Sequence, residues 1–260
     1  MSFNVIFDCR ANYYLLSTNY SLFFTLRFLK FFRLSSFVSR LFFLSLQKIK
    51  AIRMKKFNIK LSTPALLAII VVALLIADQA LKLWVKSHML LGEEIDIFSW
   101  FKLQFIENNG AAFGMQISSN GFDWGKLLLS IFRICMVGGL CYYTYRLIKK
   151  QAPMGVLVGM ALIIAGALGN ILDSAFYGIM FSESTPAAVA ELGGSHAPFM
   201  MGKVVDMFYF PLFQWEGHPE WLSFLFDKNN YFFGPVFNLA DVYISVAVIY
   251  MLIFQYKFFK

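Results

Sequence analysis

Four aspartates stand in or beside the most apolar stretches of the chain, Asp78, Asp173 and Asp241 inside them and Asp206 just outside. An acid at the middle of a bilayer costs roughly 2.5–3.5 kcal/mol on insertion scales, so each one needs a partner or a task. Spacing supplies partners. Lys82 follows Asp78 by four residues, so the two can pair on a helix. Asn170 precedes Asp173 by three residues, as Asn238 precedes Asp241, and each amide shares a helical face with its carboxylate. Two close carboxylates resist ionising together: one keeps a proton while the other stays anionic. The anionic member can activate a water, and the protonated member can polarise a carbonyl and later serve a leaving amine. That is aspartyl-protease chemistry. A lone intramembrane aspartate is as readily a helix-packing or topology device; the gathering of five charged residues, Asp78, Lys82, Asp173, Asp206 and Asp241, tips the reading toward a site. Thiol and metal chemistry find no comparable pattern. Cys9, Cys135 and Cys141 have no CxxC spacing, and His88, His196 and His218 are scattered without an HExxH run, so no metal or other cofactor is expected.

The elements that carry these residues follow from composition. Of 260 residues, 59% are hydrophobic and 15% charged, with a mean hydropathy of +0.63, which places the chain in a membrane rather than among soluble domains. The net charge of +8 is local: residues 1–60 hold eleven of the 23 Lys and Arg and a single acid, Asp8. A polybasic segment beside a span marks the cytoplasmic face and meets anionic lipid, so a nucleic-acid partner is not implied. Residues 1–53 are a basic, Phe-rich extension whose apolar runs are broken by Arg27, Lys30, Arg33 and Arg40. It reads as disordered, or as lying upstream of a true start at Met54. Residues 54–260 form the membrane domain.

Four spans are expected, at about 64–86, 126–145, 153–177 and 235–256. Pro64 and Pro153 stand at helix starts, where a missing N–H costs little. Residues 87–124 read as a small β-rich element outside the membrane, and 180–234 as a long irregular loop. Basic clusters precede the first span, separate the second from the third, and follow the fourth, which puts both termini in the cytoplasm and the two long loops on the other side. At 1.5 Å per residue, Asp78 lies about 21 Å and Asp173 about 30 Å from the cytoplasmic ends of their helices, and Asp241 about 9 Å into a helix that starts outside. All three reach a similar outer depth.

In order along residues 64–256 stand DQALK (Asp78 to Lys82), NNGAAFG (Asn108 to Gly114), GALGNILD (Gly166 to Asp173), VVD (Val204 to Asp206) and FNLAD (Phe237 to Asp241). Together these blocks resemble the lipoprotein signal peptidases, the type II signal peptidases of bacteria. The resemblance implies an aspartyl endopeptidase with Asp206 and Asp241 as its catalytic pair. It implies that Asp78, Asn108, Asn170, Asp173 and Asn238 line the site and position substrate, with Lys82 and Gly110 structural. The implied fold is all-α, four transmembrane helices with a small extracytoplasmic β-cradle and a periplasmic amphipathic helix. The implied substrate is a prolipoprotein carrying diacylglyceryl on its lipobox Cys and cut just before it, at the periplasmic side of the inner membrane; globomycin-like cyclic peptides are implied inhibitors. Two features depart from the family pattern. Ser174 stands where an Arg usually follows Asp173, and a substitution of Arg there is expected to be tolerated; about 30 residues separate Asp173 from Asp206, and a similar number Asp206 from Asp241, more than is usual. The enlarged loops read as solvated segments with interfacial aromatic residues.

Three other readings stay open on the residues alone. A proton- or ion-coupled transporter would use intramembrane Asp and Asn as a path, but would spread them through the membrane depth. A different intramembrane aspartyl protease would carry a GxGD-like block, which this sequence lacks. A noncatalytic scaffold would have no need of both acids.

Overall fold

The computed structural model describes residues 61–109, 118–119 and 122–260. The extension at 1–53 and the glycine at position 110, with the rest of its block to Gly114, lie outside the described residues. Helix α1 spans Thr63–His88, with Pro64 in its first turn. Helix α2 spans Trp124–Lys149, and α3 spans Met154–Leu172 and runs on through a π-turn, Asp173–Tyr177, and a last α-turn, Gly178–Met180. Helix α4 spans Leu239–Phe254. Three segments, Thr63–His88, Trp124–Lys149 and Met154–Met180, are long and apolar enough to cross a membrane; α4 is apolar but has 16 residues.

The fourth apolar stretch starts its helix at Leu239, later than Pro235 suggests. Phe237 is held extended by a bridge to Phe208, and Asn238 then caps the helix: its side chain accepts from the Asp241 N–H while the Asp241 carboxylate accepts from the Asn238 N–H. This reciprocal box satisfies two of the donors that a helix start leaves open.

α3 is the central helix. Within an 18-residue apolar stretch of each helix, 61% of α3 is buried inside the protein, against 11% for α1 and 17% for α2. Small residues let its neighbours come close: a Cβ on Gly166 would meet the Ala240 carbonyl oxygen at 2.4 Å, and one on Gly169 would meet an Asp78 carboxylate oxygen at 2.6 Å. Such stripes are how helices pack in lipid, where van der Waals contact must replace a hydrophobic driving force.

Strands β1 (Glu94–Phe98) and β2 (Phe101–Asn108) form an antiparallel pair between α1 and α2, and β3 (Ser118–Ser119) and β4 (Phe122–Asp123) a separate short ladder. The third strand of the main sheet, β5 (Val204–Tyr209), comes from the segment that the sequence reads as irregular loop. It pairs antiparallel with β2, Asp206 opposite Ile106. Alternation then sorts the side chains. Phe105, Val205 and Met207 join Val85 and Met89 of α1 with Tyr177 and Phe181 in one apolar cluster, and Asp206 points the other way. At the edge of that cluster Glu107 is bonded to Lys86 of α1 and, at 2.7 Å, to Ser184, with Lys203 at 3.4 Å. Burial would raise the Glu107 carboxyl, but Lys86, Ser184 and Lys203 outweigh it and hold it below the usual range.

The enlarged loops are ordered. Residues 180–203 are tied to the end of α3 by Gly202 N–H to the Ser174 carbonyl at 2.8 Å and are folded on themselves by a bridge between Phe181 and Leu192. Residues 211–234 fold on themselves through bridges Gln214 to Tyr231 and Phe226 to Phe232, with His218 stacked on Phe226 at 4.0 Å between ring centres. Trp215, Trp221 and Phe224 remain exposed on this lobe. Between α3 and α4 the described helical piece is a 3₁₀ helix of two turns, Glu220–Leu225, and no longer amphipathic helix stands among the described residues there. The molecule is thus a membrane protein of several apolar helices and a small three-stranded antiparallel sheet.

Candidate active site

Two polar knots form at one end of the bundle and share an asparagine. In the first, the Lys82 ammonium meets Asp78 at 3.0 Å, Asp173 at 2.7 Å and the Asn170 side-chain oxygen at 2.8 Å, so its three N–H bonds all have acceptors. Lys82, Asp78 and Asp173 are wholly buried. A buried ammonium in this position is stable only because the surrounding carboxylates compensate its lost hydration. Each carboxylate also fastens a second element. Asp78 accepts the Ala240 N–H at 3.0 Å and so ties α1 to the first turn of α4, and Asp173 accepts the Val205 N–H at 3.3 Å, fixing β5 one residue from Asp206.

The second knot joins the two acids carried by VVD and FNLAD. The Asn238 amide donates to Asp206 at 2.7 Å and to the Asn170 oxygen at 3.0 Å, and its backbone N–H donates to Asp241 at 3.2 Å. The Asn170 amide donates to the other Asp241 oxygen at 2.9 Å. Asp206 and Asp241 are therefore bridged by one fully buried asparagine, from a strand and from a helix cap. Asn108, at the end of β2, donates to Asp206 as well. Burial, and after it the Asp241 charge, pushes the Asp206 carboxyl up to about 7 against the pull of the Asn238 and Asn108 bonds. Asp206 can therefore hold a proton near neutrality.

Of the residues singled out in the sequence, Asp78, Lys82, Asn108, Asn170, Asp173, Asp206, Asn238 and Asp241 all converge here, and position 110 lies outside the described residues. Two participants were passed over. Gln79 donates to Asp78 at 3.2 Å, to the Gly169 carbonyl at 3.2 Å and to Asp173 at 2.9 Å, and accepts from the Tyr177 hydroxyl at 3.1 Å. Arg133 of α2 lies within electrostatic reach of Asp241, Asp173 and Asp206. Its sequence signal, a charge within an apolar run, is the one that marks the aspartates. Ser174 is buried, with its hydroxyl on the Asn170 carbonyl at 3.2 Å. Among the described residues no cluster of His, Cys, Asp and Glu is arranged to hold a metal.

Comparison with known proteins agrees with this arrangement. Residues 70–257 match the model of the family described as signal peptidase (SPase) II. A lipoprotein signal peptidase of Porphyromonas gingivalis is 42% identical over 77% of this chain and 87% of its own. One from Amoebophilus asiaticus is 37% identical over 71% of this chain and 72% of its own, and one from Clostridium tetani 30% identical over 73% and 91%. An ion-coupled transporter draws no support from such relatives. With the family match spanning most of the chain and the motif carboxylates gathered into one buried network, the chain belongs to the signal peptidase II family of bacterial membrane peptidases.

Proposed function

We propose that the protein is an aspartyl endopeptidase that removes the signal peptides of prolipoproteins, cutting just before the diacylglyceryl-modified Cys. The observation that carries this reading is the bridge Asp206–Asn238–Asp241, two carboxylates held by the side chain and the backbone N–H of one buried asparagine at the end of an apolar bundle. Asp206, raised toward neutrality by burial, keeps the proton. Asp241, whose oxygens receive N–H donors from Asn170 and Asn238, is the anion. The anion takes a proton from water as the water oxygen bonds to the scissile carbonyl carbon, while the Asp206 proton stabilises the developing oxyanion. Collapse breaks the C–N bond, and the proton taken from water passes from Asp241 to the leaving amine of the lipidated Cys. Asp78, Lys82, Asn170, Asp173, Asn238 and Asn108 position this pair.

The same reading orients the molecule. Four spans, α4 the short one, lie in the inner membrane of a bacterium. Arg146, Lys149 and Lys150 at the end of α2, and Lys257 and Lys260 after α4, face the cytoplasm, and the carboxylates face the periplasmic side. A substrate tethered by acyl chains then offers its scissile bond at the depth of the pair, and globomycin-like peptides compete for the same place. The test is cleavage of a lipid-modified precursor by membranes bearing Asp206→Asn or Asp241→Asn. Each variant is expected to accumulate normally and to lose turnover by a factor of about 10³ or more; wild-type cleavage by either one would end the reading.

A further inference from the structure

We propose that Arg133 is a positioning residue of this site, a cation delivered by α2 that sets the proton affinity of the Asp206–Asp241 pair. The inference rests on the dyad reading above. It begins with charge. Four carboxylates, Asp78, Asp173, Asp206 and Asp241, converge with one ammonium, Lys82; even with a proton shared by Asp206 and Asp241, three negative charges face one positive. Such an excess inside a bundle calls for a second cation.

The face of α2 supplies it. Its buried residues are Lys126, Ser130, Val137, Thr144 and Leu147, a stripe at spacings of three, four and seven, and position 133 falls on the same stripe between Ser130 and Val137. The turns of α2 that precede Arg133 are fastened near the site. Lys126 donates to the Asn109 side chain at 3.2 Å, beside Asn108, and Ser130 donates to the Met200 carbonyl at 3.2 Å. Met200 in turn donates its N–H to Ala175, in the π-turn that Asp173 opens. α2 and α3 are joined by the short turn at 150–153, so in the antiparallel hairpin Arg133 comes level with Asn170, the residue shared by both knots. Its electrostatic partners are Asp241 first, then Asp173 and Asp206.

The other charged and titratable groups nearby are engaged elsewhere or already counted. Lys82 serves Asp78 and Asp173 and also acts on Asp206. Lys86 and Lys203 pair with Glu107 at the apolar cluster, and the Tyr177 hydroxyl is bonded to Gln79. Ser174, beside Asp173, brings no charge. Arg133 brings one to Asp241, Asp173 and Asp206 from a neighbouring helix.

The experiment is the pH–rate profile for cleavage of a lipid-modified precursor by the full chain in membranes, comparing wild type with Arg133→Lys, Arg133→Gln and Arg133→Met, and with Asp206→Asn as the control. Removing a cation makes both carboxylates hold protons more tightly. Both limbs of the profile are therefore expected to move to higher pH by about one unit in Arg133→Gln and Arg133→Met, a tenfold change in proton affinity. Arg133→Lys is expected to keep both limbs in place, which a purely steric role would not require. Unmoved limbs in the two uncharged variants would overturn the inference and leave the dyad standing. So would loss of both from the membrane while Arg133→Lys accumulates, since Arg133 would then serve the fold. Cleavage by Asp206→Asn would remove the dyad reading and this inference with it.

Discussion

Lys82 commits every N–H of its ammonium to an acceptor, two of them buried carboxylates, and the acceptors belong to α1 and α3. Lys82→Met keeps the length and apolar bulk but leaves Asp78 and Asp173 as uncompensated buried charges, so a destabilisation of about 3–5 kcal/mol is expected. Thermal unfolding of the detergent-solubilised variant beside wild type measures it; an unchanged midpoint would mean the charges relax without their partner. At Asp206 the sign runs the other way. Its carboxyl is raised to about 7 from an unfolded value near 3.9, so the folded state holds the extra proton between those limits. Stability is therefore lost as pH rises through that window. In the mechanism proposed above turnover needs the Asp206 proton, so it is expected to fall about tenfold per pH unit above about 7. A rate that stays level to pH 9 would show that Asp206 is not the protonated member.

At the scale of elements, what could be read in the sequence was local. α1, α2 and α3 announce themselves as apolar runs of span length, and the pairs Asp78 with Lys82, Asn170 with Asp173 and Asn238 with Asp241 follow from helical periodicity. Asp206 was different: its place depends on β5 pairing with β2 about 100 residues earlier, a register that no short-range pattern encodes, and only its motif pointed to it. The start of α4 was misplaced for a similar reason, because the long-range bridge between Phe237 and Phe208 overrides the invitation of Pro235 to begin a helix. Gln79 escaped because it lies one residue, about 100°, off the face shared by Asp78 and Lys82, and it reaches the site through the π-turn residues that follow Leu172. Arg133 was readable as a charge within a span, but its target depended on which helices pack together.

Over the whole molecule the polar network is wrapped by apolar surface. Ile69, Val72 and Ile76 of α1, Leu128, Ile131 and Phe132 of α2, and Ile249, Leu252 and Ile253 of α4 all face outward, as lipid-contacting side chains must. α4 has 16 residues, and at 1.5 Å of rise each it reaches about 24 Å, short of the roughly 30 Å of hydrocarbon in an ordinary bilayer. A membrane accommodates such a mismatch by thinning around the short helix. The dimple would form over the first turn of α4, which holds Asp241 and is anchored by Asp78. Headgroups drawn inward there would carry an acyl-tethered peptide down to the carboxylates without withdrawing its chains from the leaflet. Reconstitution in a series of lipids with lengthening tails is expected to slow cleavage progressively as the dimple becomes harder to form, and equal rates across the series would rule this out.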